Sequence, residues 1–459
     1  MLSDSTGVPG TGFQVRSSKG EYMFHMGWFV GHGFSVQSWK GTWSGAGARE
    51  WMMPDLYVDM ARSLERACFD YMIFEDGLMI PDAFGGSMDT YLKYNMECPR
   101  HDPTALIGIL GQATSRIGLI PTMSTSFYPP FMAARMLVTL DHLTRGRVGG
   151  NLVTSSSHRA AQNFGHAEHF EHDLRYRMAD EWMDLVGKLW GSWEPGAVVF
   201  DEETGTFADG SKVHTIDFEG EFFRCRGPLN AVPGPQGRPV ICQAGGSPAG
   251  REFAARNADT VICVPLGVAA MKAYREDMSA RLIAAGRKPA DCKVLYLIRP
   301  VLAETDAEAQ EKRRRLRAAQ REQAAIETQL AVMSYFSGLD FSTFDLDKPL
   351  PDLSGQVNGH QSSMTRYAKD SEDGKTLREL VSTHETTTSL ELVGTPDTVA
   401  ALMGEAMEEV GGDGFLISND VDRHSIAQIA DGLAPALKRR GLIRESYTHE
   451  HFRDNLLEF

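Results

Sequence analysis

Cysteine is scarce in this chain: six of the 459 residues are cysteines, and no two of them form a CxxC pair. Neither a disulfide framework nor a zinc site built on paired cysteines is therefore indicated. The sequence also has no signal peptide and no apolar run long enough to span a bilayer. These absences predict a protein of the reducing cytoplasm without membrane contact. The cysteines are Cys68, Cys98, Cys225, Cys242, Cys263 and Cys292.

Positive charge is not in excess either, since the formal net charge is -15. A general nucleic-acid binder needs a clustered basic surface, so that class of partner is excluded. The one basic run, residues 312–315, lies in a charge-mixed helical stretch and is typical of a solvated helix face. No GxGxxG motif joins a strand to a helix, because GVPGTG at the N-terminus follows no strand. The sequence therefore predicts no nicotinamide site of its own.

Residues 239–255, PVICQAGGSPAGREFAA, are the most informative stretch that is present. A short apolar strand leads into Gly245 and Gly246, and Ser247 then has the features of an N-cap before a helix. Free amides and the helix dipole at such a start favour an anion, so Gly246 and Ser247 are candidates for binding a phosphate group. The alternative is a well-capped helix that binds only water, and this segment alone leaves both open.

Apolar strand-like runs alternate with amphipathic stretches along the chain, which is typical of an α/β protein. This alternation fits a TIM barrel but also a doubly wound open sheet. The predicted strands are residues 22–30, 70–75, 116–122, 147–154, 239–244, 259–264, 293–303 and 414–418. The predicted helices between them include residues 56–67, 103–114, 129–143, 248–257, 269–285 and 396–410.

Six ordered segments resemble a known family of enzymes. They are YMIFEDG (71–77), PTMSTSFYPPFMAAR (121–135), TLDHLTRGRVGGNLVTS (139–155), NFGHAEHFEHDLRYRMADEW (163–182), QAGGSPAGREFAA (243–255) and LVGTPDTVAALM (392–403). The set is similar to the flavin-dependent monooxygenase family that includes the nitrilotriacetate, pristinamycin and dibenzothiophene-sulfone monooxygenases, within the bacterial-luciferase-like superfamily. The sulfone branch is most similar, through FYPP, DGLMIPDAFGG and FADGSKVH. This resemblance implies a TIM (β/α)8 barrel.

A plain barrel needs about 250 residues, so the excess is expected in two long insertions at the C-terminal face of the strands. We place them near residues 156–238, with a helix over 173–190 and then a hairpin, and near residues 304–391, with a long charged helix. Both are interpreted as walls and lid of a substrate pocket. Residues 21–459 then form a single domain, and residues 1–20 form a mobile tail.

The resemblance also implies which residues bind FMN. Asp76, Thr122 and Ser124 would contact the flavin ring, together with polar residues that end the fourth strand. His172 and Tyr176, four positions apart on one helix face, would contact the ribityl and phosphate oxygens. The full set of expected cofactor residues is Asp76, Thr122, Ser124, Asn151, Thr154, His172, Tyr176, Gly246 and Ser247.

Substrate contacts are less specific. Phe29, His32, Trp39 and Phe336 are candidates for an apolar pocket, although each could equally be ordinary packing. His384 is a further pocket candidate, and both His158 and His384 are possible proton donors. The spacing of His166, His169 and His172 suits a metal, but the resemblance assigns His172 to flavin, so no metal site is predicted.

These expectations give a two-component, FMNH2-dependent monooxygenase that uses O2, through a flavin peroxide, to oxygenate a small aromatic or organosulfur compound. A separate NAD(P)H:flavin reductase would supply the FMNH2, and the chain would form a homodimer or homotetramer. Two alternatives stay open: a deazaflavin (F420)-dependent oxidoreductase of the same superfamily, and a non-catalytic flavin-binding protein.

Overall fold

Eight parallel strands form a closed barrel, which confirms the predicted TIM barrel. The computed structural model of the protein describes residues 23–40, 43, 45, 49–351, 353, 374–383 and 388–459, so the predicted tail and His384 lie outside the described residues. Each strand pairs with the next along the chain, and the last pairs with the first. The strands are β1 His25–Val30, β2 Tyr71–Phe74, β3 Gly118–Ser124, β4 Gly149–Val153, β5 Val240–Gln243, β6 Thr260–Cys263, β7 Lys293–Ile298 and β8 Gly414–Ile417.

Helices surround the barrel at the places where the apolar periodicity predicts them. The predicted N-cap at Ser247 is confirmed, and the helix predicted over residues 396–410 ends at Gly411, which has a left-handed backbone. The surrounding helices are α1 Asp55–Arg66, α2 Pro103–Ala113, α3 Pro130–Leu143, α4 His172–Trp190, α5 Pro248–Asn257, α6 Val268–Ala284 and α7 Pro396–Val410. After β8 the chain forms Arg423–Ala427, a π-helical Gln428–Leu433 and Ala434–Arg439.

The remaining elements lie in the loops. The helices are Asp89–Tyr94, His158–Asn163, Asp306–Ala319, Gln323–Ser337, Leu377–Thr383 and Phe452–Leu456, with 3₁₀ turns at Phe84–Gly86, Gly210–Lys212, Pro289–Asp291 and Phe341–Thr343. Short strands pair as Phe34–Ser35 with Arg100–His101, Val198–Asp201 with Thr206–Ala208, Phe218–Glu219 with Arg224–Cys225, and Val301–Leu302 with Val393–Gly394.

Two expectations about these loops were wrong. The strand predicted over residues 293–303 ends at Ile298, because Pro300 has no amide hydrogen for the ladder; Val301–Leu302 then pairs outside the barrel. The single hairpin predicted after α4 is two separate hairpins, so residues 204–210 (TGTFADG) and 217–223 (DFEGEFF) do not pair with each other. Both sequences contain turn residues, and periodicity alone does not specify the partner of so short a strand.

Strand alternation decides which side chains enter the barrel. Tyr71, Ile73, Ile120, Cys242 and Leu295 belong to a cluster of buried residues inside it. Phe452 and Leu456 of the C-terminal helix join the same cluster, and a Cβ on Gly118 would lie 2.5 Å from the Phe452 ring. The C-terminal helix therefore closes the N-terminal end of the barrel. The C-terminal ends of the strands remain as the place for a site.

Candidate functional site

Polar side chains gather where β3 and β4 end. Thr122 and Asn151 are register partners, and Asn151 Nδ2 donates to Thr122 Oγ1 at 2.9 Å. The Oδ1 atom of Asn151 is buried and has no hydrogen-bond partner among the described residues. Ser155 Oγ donates to Ser124 Oγ at 2.8 Å, and Ser155 has a φ of 55°. Such left-handed backbone on a non-glycine residue is concentrated at functional sites.

Two adjacent acids end β2. Asp76 accepts a hydrogen bond from the Gly77 amide at 2.9 Å, but burial raises the pKa of Asp76 to about 6. Burial also raises the pKa of Glu75 to about 8, against the opposing effect of Arg100. Because Tyr71 and Ile73 point into the barrel, alternation directs Glu75 to its mouth. The mouth therefore holds two carboxyl groups that titrate near neutral pH.

Arg100 lies beside these acids, in the short strand that follows the loop after β2. Its side chain is 2% exposed. One guanidinium nitrogen, Nη2, donates to Glu97 Oε2 at 2.7 Å and to the Gly31 carbonyl at 3.1 Å. The same nitrogen is 3.6 Å from Glu75 Oε2. Glu97 and Glu75 raise the pKa of Arg100, although burial by itself would lower it, so the guanidinium is charged.

The start of α5 forms the predicted turn. Ser247 Oγ accepts from the Gly250 amide at 3.1 Å. A Cβ on Gly250 would lie 2.8 Å from Tyr176 Oη, so glycine is needed for the phenol to reach this turn. His172 and Tyr176 have ring centroids 5.2 Å apart on one face of α4. The structure thus brings Tyr176, and His172 behind it, to the helix start where an anion would bind.

His169 fixes the loop between β4 and α4. Its Nε2 donates to the Thr154 carbonyl at 3.1 Å, and its amide donates to His158 Nδ1 at 3.1 Å. Burial, and secondly the positive charge of Arg175, lower the pKa of His169 to about 4. The imidazole is therefore neutral at physiological pH and acts as a hydrogen-bonding brace. His158 belongs to the same hydrogen-bonded group, because its Nδ1 accepts from the His169 amide.

Two of the substrate candidates, Phe29 and Phe336, pack against other side chains, and two, His32 and Trp39, are exposed. Phe29 packs against the cluster inside the barrel, and the Phe336 ring lies 5.0 Å from that of Tyr335. His32 is exposed, and desolvation by neighbouring protein atoms, followed by the charge of Arg100, lowers its pKa. Trp39 is 43% exposed and contacts Lys40, and no described contact joins it to the other candidates. His384 is among the residues that are not described.

The residues present fit a flavin nucleotide. Its ring and ribityl groups carry donors, and Asn151 Oδ1 and Gln243 Oε1 are buried acceptors without a partner in the described part of the chain. Its phosphate matches the free amides and the Ser247 hydroxyl at the start of α5. Among the described residues, no group of three His, Cys, Asp or Glu side chains could hold a metal ion.

Sequence reasoning missed four residues at this end of the barrel. Gln243 ends β5 in the quoted motif, and His169 was weighed only as a metal ligand. Glu75 directly precedes Asp76, so its place at a strand end was a readable signal. Arg100 had no such signal, because only the folding of the loop after β2 brings it over the mouth.

The architecture and the polar mouth define a barrel enzyme with a site suited to a flavin nucleotide. The chain belongs to the luciferase-like monooxygenase family, which matches residues 26–414. It is 34% identical to dibenzothiophene-sulfone monooxygenase of Rhodococcus erythropolis (strain XP), over 94% of this chain and 96% of that protein. It is 33% identical to nitrilotriacetate monooxygenase component A of Aminobacter aminovorans, over 87% and 89%. The crystal structure of riboflavin lyase with modified FMN and riboflavin superposes with a TM-score of 0.85 at 30% identity, covering 95% and 96%.

These relationships confirm the predicted resemblance and the predicted monooxygenase activity. A flavin cofactor is likewise supported by riboflavin lyase, whose crystal structure contains modified FMN. No helix in the described ranges is long and apolar enough to cross a membrane.

Proposed function

We propose that the protein is the oxygenase of a two-component system, which takes FMNH2 from a separate NAD(P)H:flavin reductase and uses O2 to oxygenate a small aromatic or organosulfur compound. The observation that carries the proposal is the convergence of the anion-binding turn at Ser247 with Tyr176 and a polar barrel mouth. Relatives of similar length are named for oxygenation of organosulfur compounds, and one is named as component A of its system.

The proposed roles follow from position. The Gly246 amide and Ser247 bind the phosphate, while His172 and Tyr176 contact the ribityl chain and the phosphate. The polar residues at the strand ends hold the flavin ring. They are Asp76, Thr122, Ser124, Asn151 and Thr154. The flavin supplies the activation of oxygen, and the protein orients it, excludes water and positions the substrate. We also propose a cytoplasmic location and a homodimer or homotetramer.

The test is oxygen incorporation. FMN is photoreduced in the absence of air, mixed with the protein and candidate substrates, and exposed to isotope-labelled oxygen gas. One labelled oxygen atom per product molecule, detected by mass spectrometry, is expected, and no product should form without reduced FMN. Substrate turnover that proceeds equally well without oxygen would instead indicate hydride transfer and contradict the proposal.

A further inference from the structure

Arg100 has hydrogen-bond donors that find no acceptor in the part of the chain that the structure describes. Its Nε and Nη1 atoms are buried and have no partner among the described residues, whereas Nη2 is satisfied by Glu97 and Gly31. A buried guanidinium group is costly to leave with free donors, because each lost hydrogen bond to a charged group carries a desolvation penalty. A side chain that is 2% exposed and only partly satisfied therefore indicates a missing acceptor.

The free donors lie next to the expected flavin contact. Nη1 is 3.3 Å from the position of a Cβ on Gly77, and Gly77 directly follows Asp76. The Gly31 carbonyl that binds Nη2 is at the end of β1, two positions after Phe29. The guanidinium group therefore spans the ends of β1 and β2 at the barrel mouth. The acceptor that it lacks would lie in the same mouth as the flavin and the apolar Phe29 ring.

The charges around Arg100 decide what kind of acceptor fits. Glu97 and Glu75 are within ion-pair distance of the guanidinium, and Asp76 lies nearby. Three carboxyl groups thus accompany one cation. Glu97, 2.7 Å from the guanidinium, already balances its charge, and a substrate anion would be repelled by Glu97 and by the ionised fraction of Asp76. An uncharged oxygen accepts the hydrogen bonds without this repulsion.

We propose that Arg100 is a specificity-determining residue that donates from Nε and Nη1 to an uncharged sulfonyl or carbonyl oxygen of the substrate. This inference rests on the proposed function, because it assumes that the barrel mouth is the substrate pocket. It adds a substrate class to that function: molecules with an apolar body and a strong, neutral acceptor oxygen. A purely apolar compound would leave the Arg100 donors unsatisfied, and a carboxylate or sulfonate would meet the surrounding acids.

Binding of matched probes tests the proposal without turnover. The protein loaded with oxidised FMN is titrated by calorimetry or tryptophan fluorescence with dibenzothiophene sulfone, dibenzothiophene, fluorenone and fluorene. Each oxygenated member of a pair is expected to bind about tenfold more tightly than its unoxygenated partner, as a hydrogen bond to a charged donor implies. The two pairs distinguish a sulfonyl from a carbonyl preference. Equal affinities within both pairs, or no binding of any probe, would overturn the proposal.

The preference of the site for an uncharged oxygen is tested with a second pair of probes of similar size, dimethyl sulfone and methanesulfonate. The neutral sulfone is expected to bind more tightly. Tighter binding of methanesulfonate would show that the site selects an anion and would overturn the assignment of an uncharged oxygen.

The variant Arg100→Lys keeps a positive charge beside Glu97 and Glu75 but cannot offer the two free guanidinium donors. It is expected to lose most of the preference for the oxygenated probes. Arg299→Lys is the matched control, because Arg299 follows β7 at the same end of the barrel, is 47% exposed and pairs with Asp420. An unchanged preference in Arg100→Lys would overturn the proposal, and the comparison of probes on the unmodified protein stands even if this variant folds poorly.

Failure of the two proposals is distinguishable. An Arg100-dependent preference without labelled-oxygen incorporation would contradict only the monooxygenase assignment. Incorporation without the preference would contradict only the role of Arg100.

Discussion

Asp70 and Asp76 flank the same strand, β2, yet their pKa values move in opposite directions. Burial tends to raise both, but His25 and Arg444 outweigh it at Asp70 and lower its pKa, with contacts of 2.9 and 2.8 Å. The stability that Asp70 contributes is therefore present at neutral pH and is lost as the pH falls through its folded-state pKa. At Asp76 burial outweighs the lowering effects of the Gly77 amide and of Arg100, and the pKa is raised to about 6. One end of the barrel stabilises the fold, and the other carries chemistry.

The first prediction concerns the effect of the raised pKa of Asp76 on the stability of the fold. The stability associated with protonated Asp76 is present at low pH and lost as the pH rises through about 6. Asp76→Asn removes the ionised form, so it should raise the free energy of unfolding by about 1 to 3 kcal/mol near pH 8 and have little effect near pH 4. FMN affinity should fall, since the carboxylate is an expected flavin contact. Denaturant titrations at both pH values check this, and a variant less stable at both would contradict it.

The second prediction concerns Ser247. In Ser247→Asp, a carboxylate would face the flavin phosphate in a partly buried site, where like-charge repulsion is on the order of a few kcal/mol. FMN affinity should therefore fall at least about tenfold. Asp is a good N-cap and α5 should remain intact. Ser247→Asn is the control, because it has the same shape and capping ability without the charge. Equal FMN affinity of the two variants in calorimetry would refute the phosphate assignment.

At the scale of elements, sequence periodicity predicted all eight barrel strands to within a few residues, except the overlong strand at β7. Caps and stops are local signals, so α5 and α7 were predicted with their observed bounds. Contacts between distant segments were not predictable in the same way. Arg100 reaches the mouth through a loop, and Phe452 enters the barrel from the C-terminus. No local pattern specifies either approach.

The third prediction concerns one face of α4. If His172 and Tyr176 contact the same cofactor, the double variant His172→Ala, Tyr176→Phe should be non-additive in FMN affinity by about 0.5 to 3 kcal/mol. Their ring centroids are 5.2 Å apart, which is close enough for coupling. A cycle of Tyr176→Phe with Thr448→Ala, an exposed residue near the C-terminus, should be additive and serves as the control. Additivity in both cycles would mean that the two residues do not act together.

In the whole molecule, the N-terminal end of the barrel is closed by a helix, whereas long loops leave from the C-terminal end. The C-terminal helix seals the N-terminal end with Phe452, and Phe459 stacks on His25 at a centroid distance of 4.3 Å. The long loops after β4 and β7 leave from the C-terminal ends of their strands. We therefore propose that these segments are the walls and lid of the pocket. In such an arrangement a diffusible cofactor would enter from the C-terminal end of the barrel.

The last prediction follows from that route and from the absence of a dinucleotide motif. The purified protein should not oxidise NADH alone, but should form product when an unrelated flavin reductase regenerates FMNH2 in a chamber separated by a dialysis membrane. Only the small cofactor can cross, so product formation would show that contact between the two proteins is dispensable. A chamber pair without FMN is the control. Consumption of NADH by the oxygenase alone, with a matching amount of product, would contradict the two-component proposal and reveal a nicotinamide site in this chain.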